Sequence, residues 1–140
     1  MSKIGTGLKG VVLDETRIAF IDGEASKLVY RGYNIHDLAK QSSFEEVAYL
    51  LLYGALPSRA ELAAFAGELR GARPIPQAAI DIIDRVKAAH PMDILRTAVS
   101  AVVALDESSH EASVAGALPV GKRLISQVAT IVAAMYRLRA

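Results

Sequence analysis

A chain of 140 residues, 52% apolar and 22% charged with a net charge of +1, is long enough for one real core and too short for two domains to be expected. That balance argues against disorder and gives no electrostatic reason to expect nucleic acid or an anionic membrane surface. With no cysteine, disulfides and thiolate metal sites are excluded, which fits a reducing compartment. Lys122, Arg123, Arg137 and Arg139 come closest to a basic patch, and they are few. The start, MSKIGTGLKG, has no apolar signal core, and no uncharged apolar run reaches the roughly 18 residues that a bilayer span requires. A cytoplasmic protein with no membrane partner is the expectation.

In chain order, residues 11 to 30 read as a hairpin. Arg17, Ala19 and Ile21 alternate with Ile18 and Phe20, Asp22-Gly23-Glu24 carries turn chemistry, and Lys27 to Tyr30 runs back as the partner strand. Gly32 ends it. Two strands alone are marginal, so the hairpin must lie on something larger. From Asn34 the pattern turns helical and continues to residue 140. Asn34 caps a short helix through Lys40. Ser43 with Glu46 forms a capping box for Phe44 to Tyr53, which Gly54 closes. Ser58 with Glu61 repeats the device and opens a helix ending near Gly71. After the loop at Pro74 and Pro76, Ala79, Ile82, Ile83 and Val86 fall at i, i+3, i+4 and i+7, the spacing of an amphipathic helix. Pro91 suits the first turn of a helix over Met92 to Leu105. Residues 106 to 117 read as a polar loop with at most one helical turn, and a last helix runs from about Val120 to the end. The total is seven helices or so.

Two of these helices are apolar on nearly every side. Phe44 to Tyr53 is one; Met92 to Leu105, with only Asp93 and Arg96 as charges, is the other. A helix that is greasy all round needs cover all round, more than 140 residues readily supply. The expectation is a homo-oligomer, or a partner chain that covers them.

Few residues point to chemistry. GTGLKG, residues 5 to 10, matches the glycine spacing of a dinucleotide loop, but it lacks the strand before and the helix after that such a loop needs. Asp106, Ser108, Ser109, His110 and Glu111 include every member of a hydrolytic triad. Their adjacency counts against one, because triad groups converge from separated segments. No spaced second histidine supports a metal site there, so no metal is expected. His36 follows the tyrosine-rich corner, and His90 stands immediately before Pro91, where a ring nitrogen can cap a helix. Tyr30, Arg31, Gly32 and Tyr33 read as a tight bend covered by two aromatics, with Arg31 free to meet a helix C-terminus or a carboxylate.

Six stretches occur in order across almost the whole chain: GLKGVV (7–12), ETRIAFIDGE (15–24), LVYRGYNIHDLA (28–39), FEEVAYLLLYGALP (44–57), HPMDILRTAVSA (90–101) and TIVAAMYRLRA (130–140). Together they resemble the N-terminal part of citrate synthases, including the similar 2-methylcitrate synthases. The resemblance implies a mainly α fold: the helical large-domain portion of the citrate synthase fold, with a small N-terminal β-hairpin. The whole chain, 1–140, would then be a single incomplete domain. It also implies a homodimer built through large-domain helices, and a condensation of an acyl-CoA with oxaloacetate. In that reaction a carboxylate removes the α-proton, one histidine stabilises the enol, a second polarises the ketone, and arginines hold the carboxylates.

The family draws those groups from later motifs that this sequence lacks. His36, His90 and His110 do not match the catalytic histidine motifs, so no catalytic residue is carried over and no cofactor is implied. Some bacterial members bind inhibitory NADH near the segment matching His90-Pro91-Met92, which makes His90 a candidate for nucleotide regulation beside its capping role. Residues 106 to 119 depart from the family pattern, and Ala129 replaces a usual proline, so the last helix is expected to run straighter. The chain is thus read as the N-terminal portion of a synthase or as half of a split enzyme, inactive alone in either case. The alternative is a stand-alone binding or regulatory module derived from the family. The pocket that selects the acyl-CoA lies outside these residues.

Overall fold

Asp22 shapes the first turn. Its Oδ1 accepts hydrogen bonds from the backbone N–H groups of Glu24 and Ala25 at 3.1 and 2.9 Å, the local pairing that favours aspartate in turns. The computed structural model, which describes residues 15–106 and 113–140, places β1 (Ala19–Asp22) before this turn and β2 (Lys27–Tyr30) after it. The two are antiparallel, with Ala19 opposite Tyr30 and Asp22 opposite Lys27.

The expected hairpin gains a third strand. Arg31 and Gly32 both take positive φ, +48° and +92°, as the two central residues of a type I′ turn must. The chain therefore folds straight back, and β3 (Tyr33–Asn34) pairs with β2. Gly32 does mark a bend, but the bend continues the sheet. A two-residue strand is too short to show alternation, which is why sequence pattern does not announce it.

Contacts divide the molecule into two compact units, residues 1–57 and 58–140. In the first, Asn34 Oδ1 accepts from the His36 N–H at 2.9 Å and starts α1 (Ile35–Gln41). The capping box of α2 (Phe44–Tyr53) is present in both directions: the Ser43 N–H donates to Glu46 Oε2 at 2.6 Å, and the Glu46 N–H donates to Ser43 Oγ at 3.3 Å. Gly54, at φ +91°, closes α2 in the left-handed region with its N–H on the Leu50 carbonyl. Among the described residues, Leu38, Ala48 and Leu50 are the buried apolar side chains of this unit.

The backbone N–H and then the hydroxyl of Ser43 hold the Glu46 carboxyl below its ordinary pKa. Folding thus favours the charged form, so the contribution to stability is full above the unfolded carboxylate pKa and is lost as pH falls through the lower folded value. In thermal melts followed by circular dichroism, the advantage of wild type over Glu46→Gln should accordingly shrink on acidification through the carboxylate range. A difference independent of pH there would refute the charged cap.

In the second unit, Ser58 and Glu61 form a second capping box at the head of α3 (Arg59–Gly71), which buries Phe65 and Leu69. Three helices follow: α4 (Gln77–Val86), α5 (Pro91–Ala104) and α6 (Val114–Arg139). Their shared core is Ala79 and Ile83 from α4, Ile94, Ala98 and Val102 from α5, and Ile131 and Met135 from α6. On α4 the expected face points inward, with Ala79 and Ile83 fully buried and Ile82 and Val86 half-buried. Thr130 Oγ1 donates to the Arg73 carbonyl at 2.8 Å and Gln127 Nε2 to that of Pro74 at 3.2 Å, tying α6 to the loop before α4.

The last helix begins at Val114, not near Val120, so the end of the expected loop is helical. The described residues therefore hold six helices, against the seven or so expected. Pro119 reads as a boundary because its ring removes one N–H and crowds the carbonyl four residues back. Here Ser113 caps the helix earlier, its Oγ accepting from the Gly116 N–H at 3.0 Å, and the ladder absorbs one missing bond. α6 then runs unbroken through Ala129 for 26 residues, about 39 Å at 1.5 Å per residue. Residues 11–14 of the expected hairpin lie outside the described residues. Among the described residues, no helix is long and apolar enough to cross a membrane.

Candidate functional site

His90 is the N-cap of α5. Its Nδ1 accepts from the Met92 N–H at 3.3 Å, and the side chain is otherwise exposed. Pro91, which has no N–H to satisfy, occupies the first helical position behind it. His36 is exposed in the first turn of α1. His110, Ser108, Ser109 and Glu111 lie outside the described residues, as does GTGLKG. Among the described residues, no hydrogen bond or ion pair joins His36 or His90 to a carboxylate or a nucleophile. Among the described residues, no three His, Cys, Asp or Glu side chains gather closely enough to hold a metal ion.

Two of the four cations in the thin basic patch are ion-paired. Lys122 Nζ lies 2.6 Å from Glu68 Oε2, and Arg123 Nη2 lies 2.7 Å from Asp106 Oδ2. Asp106 thus meets an arginine on α6, which leaves the triad reading without support at this residue. The charges of α5, Asp93 and Arg96, pair with each other at 3.2 Å on the outer face. Exposed pairs of this kind contribute at most about 1 kcal/mol.

Arg31 meets a helix C-terminus, one of the two partners its position suggested. Its Nη2 donates to the Leu51 carbonyl in the last turn of α2 at 3.1 Å, where the helix dipole favours a cation. A Cβ on Gly54 would sit 3.9 Å from the guanidinium carbon, so glycine is needed there for its φ, while space would allow more. The tyrosine-rich corner is therefore a structural joint of the first unit.

The two over-apolar helices do keep uncovered apolar surface. On α2, Phe44 is 68% and Tyr53 43% exposed; Met92, in the first turn of α5, is 62% exposed, and Leu105, at its C-cap, 45%. In the second unit a groove of about 500 Å3 runs between Pro91 and the end of α6, lined by Val132, Met135, Tyr136 and Arg139. Tyr136 is 78% exposed. The groove can take an apolar group, and among the described residues its lining includes no carboxylate side chain or histidine. Its signal in the sequence is faint: Val132 and Tyr136 repeat at i, i+4, one residue out of step with the buried pair Ile131 and Met135.

Comparison with known proteins supplies what the local geometry does not. The family model described as citrate synthase, C-terminal domain, matches residues 7–140. The chain is 42% identical over 134 residues to the 2-methylcitrate synthase of Shewanella oneidensis, a match covering 95% of this chain and 35% of that protein. It is also 42% identical over 138 residues to the citrate synthase of Haloferax volcanii, covering 95% and 36% respectively. Among solved structures, the citrate synthase of Pyrobaculum aerophilum superposes with a TM-score of 0.86 at 35% identity, over 94% of this chain and 35% of that one. The citrate synthase of Thermoplasma acidophilum, in its ternary complex with carboxymethyl coenzyme A and oxaloacetate, superposes at 0.85 with 28% identity, over 96% and 36%. This chain spans about a third of the length of these relatives. With a family model matched along residues 7–140, and a mainly helical fold shared with solved members, the chain belongs to the citrate synthase family.

Proposed function

We propose that this chain is the N-terminal scaffold and dimerisation portion of a citrate or 2-methylcitrate synthase, an enzyme that condenses an acyl-CoA with oxaloacetate, and that by itself it does not catalyse that reaction. The observation carrying the proposal is the 42% identity that runs along 95% of this chain and only 35% of the relative. The placement of the two described histidines supports it: His90 is engaged as a helix cap, and His36 sits on an exposed helix turn. A condensation of this kind needs a base on the α-carbon and donors on two carbonyl oxygens, fixed at one point.

Incubation with acetyl-CoA or propionyl-CoA plus oxaloacetate, with released thiol followed, should show no turnover by the chain alone. Turnover should appear when the remaining two thirds of a related synthase is co-expressed with it. Robust thiol release by the lone chain would refute the proposal, and a failure of co-expression to restore activity would leave the stand-alone module as the better reading.

The dimerisation role has its own test. Met92 and Leu105 stand 62% and 45% exposed at opposite ends of α5, so lysine at both should weaken self-association in light scattering and leave the helical circular dichroism almost unchanged. A wild-type chain that is monomeric at micromolar concentration would remove this part of the proposal.

A further inference from the structure

We draw no further inference here: the strongest candidate, the apolar groove between the first turn of α5 and the last turns of α6 lined by Pro91, Val132, Met135 and Tyr136, is an unpartnered face, and nothing in the structure shows what covers it.

Discussion

Ile94→Ala should cost the helical unit about 2–5 kcal/mol, read from urea or guanidinium melts, the range for emptying a fully buried aliphatic site. Ile94 is 0% exposed and heads the α5 stripe that continues through Ala98 and Val102. That stripe packs with Ile83 of α4 and Ile131 of α6, both also 0% exposed, so atoms lost at Ile94 leave a hole walled by three helices. Asp93→Ala is the control on the neighbouring position. Its partner Arg96 is a solvated side chain, so this loss should stay within about 1 kcal/mol. If the two substitutions cost the same, α5 does not pack as described.

The second large effect concerns the join at Pro57. Residues 58–140 should fold alone with a cooperative thermal transition, while residues 1–57 should not. The longer piece carries Phe65 and Leu69 as well as the seven-residue core shared by α4, α5 and α6. The shorter piece buries only Leu38, Ala48 and Leu50 among the described residues, too little apolar area to offset the ordering of its chain. Domains of about 55–65 residues fold alone only when their cores are well filled. Hydrogen exchange on the intact chain gives a second readout: amides of α5 should be protected longest and those of α1 should exchange early. A molten 58–140 piece, or equal protection across both units, would sink this expectation.

What was legible in the sequence is local. Asn34, Ser43, Ser58 and His90 sit where the helices start because each supplies an acceptor for the unpaired N–H groups of a first turn, chemistry that depends on only two to four neighbouring residues. The apolar face of α4 is readable for a similar reason, as spacing along one helix, whereas α5 reads as apolar on nearly every side and only the fold shows that Ile94, Ala98 and Val102 turn inward. β3 is not readable, since it exists through two positive-φ residues and a pairing with β2. Nor is the start of α6 at Val114, which Ser113 caps ahead of a proline inside the helix. The ion pairs of Lys122 with Glu68 and Arg123 with Asp106 join residues far apart in sequence, and nothing short of the folded chain brings them together. The family was legible in six short stretches, whereas the groove beside Tyr136 was not, because it depends on which of two interleaved apolar stripes turns inward.

The grip of Arg31 on the Leu51 carbonyl has an evolutionary corollary. A main-chain oxygen is present whatever residue occupies position 51, so drift there cannot unfasten the joint. Position 31 has no such freedom, because only a long side chain with a donor at its tip reaches that oxygen. Constraint at this corner therefore falls on one partner alone.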